Sequence, residues 1–281
     1  MADFDDLKLD KSAAPPPPPQ PRWIPIVAVL ALLFAFAAIW FYFRSGDDIA
    51  GSAPAQAQGA PSALREEAPT SGEVLPPLDE SDAMVRDLVR ALSEHPVIAS
   101  LLTTDQLIRT FAVSIRNLSE GQTPAPHLHT IPPGSAFVAQ RAGADGMVID
   151  PRSYARFDRH AAAIDSIDPA GAAELYRRLK PRLEEAYREQ AGPNANIDQA
   201  FERAVVQVLR TPVLEGPIAV QQSVTGYVYA DPALESLPRA QQQLIRMGPE
   251  NVKVIQAKVR AIARELGIPE ESLPQPRGSQ P

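Results

Sequence analysis

Four groups of side chains have types and spacings from which a chemistry could be built. His127-Leu128-His129 sets two imidazoles two residues apart. With a third ligand, such as His160 or an acid, they could share a metal ion. They sit in the proline-rich stretch TPAPHLHTIPPGS, with no cysteine anywhere and no His-Glu-x-x-His motif. We therefore read them as solvent-exposed loop histidines and assign no metal ligand. Arg152, Arg156 and Arg159 recur at i, i+4 and i+7. On one helix face they could hold an anionic polymer or a lipid headgroup, although a solvated face paired with nearby acids is the simpler reading. Glu184-Glu185 offers two carboxylates, but neighbours on a helix point different ways and do not flank a glycosidic bond. The chain has no Gly-x-Ser-x-Gly, Ser-x-x-Lys or Gly-x-Gly-x-x-Gly. AGADG lacks the Lys-Ser/Thr of a phosphate loop.

The fourth group is the densest. LIRMGPENVKVIQAKVR runs from Leu244 to Arg260, and YVYADPALESL from Tyr227 to Leu237. Arg246, Glu250 and Asn251 could meet a ligand at a helix N-terminus. Tyr227 and Tyr229 could line one surface with them. These five are the candidate ligand-binding residues; no catalytic residue and no cofactor is assigned. The competing explanation is purely structural. Gly248 permits a sharp turn, Pro249 suits the first position of the next helix and Glu250 favours its dipole.

The elements that must position these residues follow from periodicity. Met84, Val85, Leu88 and Leu92 form one apolar helix face behind Asp79 or Ser81, ended by His95-Pro96. Thr103 and Gln106 have capping-box spacing ahead of Leu107, Phe111, Ile115 and Leu118, and Gly121 closes that helix. FVAQR and MVID around Gly-Ala-Asp-Gly predict a hairpin. Asp150-Pro151, Asp168-Pro169 and Asp231-Pro232 each place an N-cap acid before a first-turn proline. The first predicts a helix with Tyr154, Phe157, Ala161 and Ile164 on one face. The second predicts a long helix kinked at Pro181 and ended by Gly192. Ile197 to Arg210 predicts another. Ile218 to Tyr229 reads as one strand that joins the hairpin. The last helix runs from Pro249 through Val252, Ile255, Val259 and Ile262 to Gly267. No repeat of 20–50 residues is present, which argues against a helical array.

Upstream, Trp23 to Phe43 is 21 residues without a charge, closed by Arg22 and Arg44. As a helix it spans about 31 Å, which matches a hydrocarbon layer of about 30 Å. It is longer than a cleavable signal core and is followed by Arg-Ser-Gly-Asp-Asp, so we read a retained anchor. Lys8, Lys11 and Arg22 place the N-terminus in the cytoplasm and the rest outside. The expected layout is a proline-rich cytoplasmic tail (1–22), a transmembrane helix (23–43), an Ala/Pro-rich linker too poor in large apolar residues to order itself (44–78), an exported domain (79–268) and a frayed tail (269–281). The expected class is α+β: mostly α with a small antiparallel β element, preceded by one transmembrane helix.

Net charge is −7, and the part beyond residue 78 is itself net acidic. That removes the basic surface a nucleic-acid binder needs. The absence of cysteine excludes disulfides and Cys nucleophiles.

SYARFD (Ser153 to Asp158), LKPRLEEAY (Leu179 to Tyr187), YVYADPALESL and LIRMGPENV, in that order, resemble the bacterial family called domain of unknown function 3014. The resemblance covers roughly Leu75 to Leu266. It implies a single-anchor envelope protein with a mostly helical exported part, and it carries no activity and no assigned catalytic residues. The expected role is a non-enzymatic interaction or scaffold module in the periplasm, anchored in the bacterial inner membrane through Trp23 to Phe43, with an envelope protein as partner. An enzyme acting on cell-wall material and a membrane-tethered chaperone are the alternatives.

Overall fold

The computed structural model describes residues 74–128, 132–143, 146–224 and 226–275. The expected anchor, the cytoplasmic tail, most of the linker, His129 and residues 276–281 lie outside them. No helix among the described residues is long and apolar enough to cross a membrane. What they form is mostly helical with one four-stranded antiparallel sheet, the α+β class expected from the periodicities.

Helix α1 (Asp82–Leu92) buries Val85 and leads into α2 (Pro96–Leu101). Helix α1 ends at Leu92, ahead of His95-Pro96 as expected, and the extended His95 also caps α2, its Nδ1 accepting from the Val97 N–H at 3.2 Å. Helix α3 (Leu107–Ser119) departs from the expected capping box. Gln106 sits at φ +57, and the free N–H groups of Gln106 and Leu107 donate to the Asp82 carboxylate at 2.7 and 2.9 Å. The cap comes from another helix, 24 residues back, because the tertiary fold brings the start of α1 against the start of α3.

The sheet contains strands β1 (Ala139–Ala142), β2 (Gly146–Ile149), β3 (Ala219–Ser223) and β4 (Gly226–Tyr229), in that order. The β1–β2 hairpin is as expected. The segment from Ile218 to Tyr229 is a second hairpin rather than one strand: Val220 pairs with Tyr229 and Ser223 with Gly226. Gly226 takes φ +136, a conformation glycine alone adopts freely. The β-branched Val224 disguises the turn. Met147 opposite Val220 joins the two hairpins.

The helix expected after Asp150-Pro151 is broken in two, α4 (Arg152–Ala155) and α5 (Asp158–Asp165). Helix α6 (Pro169–Ala191) is 23 residues long and runs on through Pro181; the Asp168 carboxylate caps it by accepting from the Gly171 N–H at 2.7 Å. Helix α7 (Ile197–Leu209) is capped by Asn196. Two short helices, α8 (Pro232–Glu235) and α9 (Arg239–Ile245), lead to α10 (Pro249–Glu265).

The main core lies among α1, α3, α6, α7 and the end of α10. Ala112, Ala173, Ala186 and Ala200 are completely buried there, so the backbones approach closely, while Leu179, Leu183, Ile197 and Leu209 fill the volume. A second cluster, Ile149, Ile218, Val220, Tyr229 and Ile245, seats the sheet on α9. The packed chain reaches a little past the expected domain limits. Leu78 and Leu273 are both buried in the main core. Arg182 donates to the Leu75 carbonyl at 2.8 Å, and Arg264 pairs with Glu270 at 2.6 Å. Residues 269–275 therefore belong to the packed body rather than to a frayed tail.

Candidate functional site

Helix α9 ends at Ile245, and Arg246, Met247 and Gly248 make the corner into α10. The Met247 and Gly248 N–H groups donate to the Leu244 and Ile245 carbonyls at 2.9 and 3.0 Å, closing the last turn. Gly248 has φ +88 and ψ 158. A Cβ there would lie 2.6 Å from Cγ of Tyr154, so the tyrosine ring packs directly on the glycine. Asn251, buried in the first turn of α10, reaches back: its Nδ2 donates to the Met247 carbonyl (2.9 Å), to Asp158 Oδ1 (2.9 Å) and to the Tyr154 carbonyl (3.3 Å). One amide thus ties α10 to the corner, α4 and α5.

In front of this corner lies an open groove of about 550 Å³. Val148, Tyr154, Asp158, Pro217, Gly248 and Glu250 are among the residues that line it. The Tyr154 hydroxyl is buried without a hydrogen-bond partner among the described residues, and burial pushes its pKa up. The two groove carboxylates are already engaged, Asp158 with Asn251 and Glu250 with Lys253 Nζ at 2.8 Å.

Beside the groove sits a patch of arginine and aromatic side chains. Arg246 lies over the Phe137 ring at 5.3 Å and over the Tyr229 ring at 5.1 Å. Arg156 lies over Phe137 at 5.5 Å and over Phe157 at 4.6 Å. Phe137 and Tyr227 have ring centroids 5.4 Å apart. Each position is fixed locally. The buried Ser153 hydroxyl bridges the N–H and carbonyl of Val138 at 2.7 Å, which pins the entry to β1 and with it Phe137. Arg246 donates to the Tyr227 carbonyl at 2.6 Å. Arg156 donates to the carbonyls of Ser153 (3.0 Å) and Ser135 (3.2 Å). Tyr229 is buried, and its hydroxyl donates to the Gln242 carbonyl at 2.8 Å. Burial pushes its pKa up to about 12, against the opposing pull of Arg246.

The five sequence-chosen residues therefore divide. Tyr227, Tyr229 and Arg246 join the arginine–aromatic patch, whereas Glu250 and Asn251 line the groove. Tyr229 and Asn251 spend their polar groups inside the protein; Tyr227, Arg246 and Glu250 retain surface. The run Arg152, Arg156, Arg159 does not share a helix face, because α4 and α5 are separate. Arg152 pairs with Asp150 at 2.7 Å, Arg159 donates to the Pro132 carbonyl at 2.8 Å, and Arg156 alone enters the patch. Glu184 and Glu185 pair with different arginines, Arg188 and Arg182. His127 is half-buried in a single 3-10 turn, and among the described residues no three His, Cys, Asp or Glu side chains gather. Sequence reasoning misses Phe137 and Tyr154. Nothing in FVAQR or SYARF sets these rings apart from ordinary core residues; only their contacts with Arg246 and Gly248 do.

No curated protein and no solved structure matches the chain. The family model described as Protein of unknown function (DUF3014) matches residues 107–263, from the first residue of α3 to the last turn of α10. That span takes in the sheet, the corner, the groove and the patch, and it exceeds half of the 281 residues. The chain belongs to this family of proteins of unknown function.

Proposed function

We propose that the chain is a single-pass protein of the bacterial inner membrane whose C-terminal domain acts in the periplasm as a non-enzymatic interaction module for another envelope protein. The membrane part of this reading rests on the uncharged Trp23 to Phe43 segment and the basic residues before it. The interaction part is carried by one observation: half-buried Arg156 and Arg246 are stacked on Phe137, with Tyr227 alongside. Arginine and tyrosine dominate binding hot spots because each offers a large rigid surface together with directed hydrogen bonds. The two carboxylates of the neighbouring groove are held by Asn251 and Lys253 rather than poised against a nucleophile, which favours binding over hydrolysis of wall material.

Two experiments test this. Alkaline carbonate washing of membranes should leave the full chain in the pellet, and a reporter fused after Pro281 should be active outside the cytoplasm; release or a cytoplasmic signal removes the anchor. A photo-crosslinking residue in place of exposed Val138, next to Phe137, should capture one recurrent envelope protein in cells. The adduct should disappear in Arg246→Ala and be absent when the probe replaces exposed Arg203 on α7. Recurrent failure to capture any protein from Val138 removes the interaction reading.

A further inference from the structure

Arg156 and Arg246 come from different parts of the chain, the break between α4 and α5 and the corner between α9 and α10. Both guanidinium groups lie against the Phe137 ring, so they can be no further apart than their two distances to its centroid combined. Cation–π attraction holds each in place, but it does not cancel charge. Among the described residues neither forms an ion pair, although the comparably sheltered Arg86, Arg109, Arg182 and Arg260 all do. The two acids that follow Tyr229 are engaged elsewhere: Asp231 caps α8 by accepting from the Ala233 N–H at 2.8 Å, and Glu235 accepts from the Tyr229 N–H at 2.9 Å. Burial and the charge of Arg246 both hold the Arg156 guanidinium below its ordinary range, as expected for like charges kept together. The backbone carbonyls they bond fix their direction and take up only part of the five N–H donors each carries.

We propose that Arg156 and Arg246 form a receptor for a phosphate-type dianion, either free phosphate or the phosphomonoester of a lipid headgroup, with Phe137 supporting both guanidinium groups. Two uncompensated positive charges are matched by one group carrying close to two negative charges, as a phosphomonoester does near neutral pH. A carboxylate would leave one positive charge unbalanced. The planar guanidinium fork also suits phosphate oxygens better than a lysine would. The site shares Arg156, Arg246 and Phe137 with the interaction surface, yet it does not require the partner to be a protein.

The test is thermal unfolding of the full chain in uncharged detergent, titrated with inorganic phosphate and, separately, with acetate at matched ionic strength. A bound anion raises the unfolding temperature by mass action. Phosphate should give a saturable rise, and acetate none. Arg156→Ala and Arg246→Ala should each shift half-saturation upward by roughly tenfold or more, the loss of a charge-assisted hydrogen bond. Arg210→Ala, at an exposed arginine with no ion pair among the described residues, should behave as the parent. If Arg246→Ala fails to fold, Arg246→Lys keeps the charge but loses the fork and should bind with intermediate strength. A parallel titration with short-chain phosphatidic acid against phosphatidylcholine separates the sources: saturation at lower concentration than free phosphate assigns a lipid headgroup, and the reverse assigns the free ion. No saturable response to either phosphate form, or a response unchanged in both arginine variants, overturns the proposal. Crosslinking from Val138 without a phosphate response defeats only this proposal; a phosphate response without crosslinking defeats only the protein-interaction reading.

Discussion

Replacing Gly248 with alanine tests whether the Arg246–Asn251 corner is built as described. Two separate costs meet at this position. The backbone at φ +88, ψ 158 belongs to a region nearly reserved for glycine, and an L side chain there costs about 1–3 kcal/mol. The new methyl would also lie 2.6 Å from Cγ and 2.7 Å from Cβ of Tyr154, atoms close to the backbone that cannot swing away. Overpacking of that kind costs about a further 1–3 kcal/mol. The sum, about 2–6 kcal/mol, is a large share of the roughly 5–15 kcal/mol typical of a domain. It corresponds to a fall in unfolding temperature of about 4–24 °C. Gly192 provides an internal reference: φ +99 and ψ 165 put it in the same backbone region, with nothing within 4 Å of where a methyl would sit. Gly192→Ala should show the backbone cost alone. Urea unfolding of the full chain, followed by far-UV circular dichroism, is the assay; tryptophan fluorescence would not serve, since Trp23 and Trp40 are the only tryptophans and both lie in the apolar N-terminal segment. In a Tyr154→Ala background the penalty of Gly248→Ala should shrink toward that of Gly192→Ala. Equal penalties for both glycines, unaltered by removing Tyr154, would refute the packing argument.

The same measurement checks three further expectations. Asp82→Ala removes the cross-helix cap of α3 and should cost about 0.5–2 kcal/mol, although Asp82 reads as an ordinary first-turn acid of α1. Tyr176→Phe takes away a 2.8 Å hydrogen bond to the buried Asp198 carboxylate, which also holds Lys180 at 2.7 Å, and should cost about 1–3 kcal/mol; Asp198→Ala strands both partners and should cost more. Hydrogen bonds from the Arg152 side chain and backbone hold the Asp150 carboxyl below its ordinary range. The stabilisation this brings is complete above the unfolded value of about 3.9 and is lost as pH falls through the folded one. Asp150→Asn should therefore lose less stability than the parent between neutral pH and about pH 3.

Much of the helical frame was legible from local signals. Asp168-Pro169 and Asp231-Pro232 begin helices because a side-chain carboxylate caps and the proline's missing N–H costs nothing there. Gly121 follows the end of α3 and Gly192 ends α6, both at positive φ. The errors share a cause. Thr103 and Gln106 satisfied a local capping pattern, but Asp82 arrived from another helix and supplied a charged acceptor instead. Val224 carries high strand propensity, yet pairing of β3 with β4 required a turn there. The helix after Asp150 breaks at Arg156-Phe157, where Phe157 belongs to the buried cluster of Ala161, Met247 and Ile255 and Arg156 lies over Phe137; no local signal marks that break.

What the sequence determined by itself was the inventory: an uncharged apolar segment near the N-terminus, a set of amphipathic helices with their caps, a β element, and family motifs dense around Tyr227 and Arg246. These rest on neighbours a few residues apart, so spacing along the chain reveals them. What only the tertiary structure decided was which of the conspicuous residues keep company. Arg246 went to Phe137 and Tyr227, Asn251 turned inward to fasten the corner, Gly248 accepted the face of Tyr154, and Arg156 left its neighbours Arg152 and Arg159 to stand unneutralised beside Arg246. Such pairings join segments up to about a hundred residues apart, and they are settled by how the sheet seats on α9, a packing outcome that no local periodicity encodes.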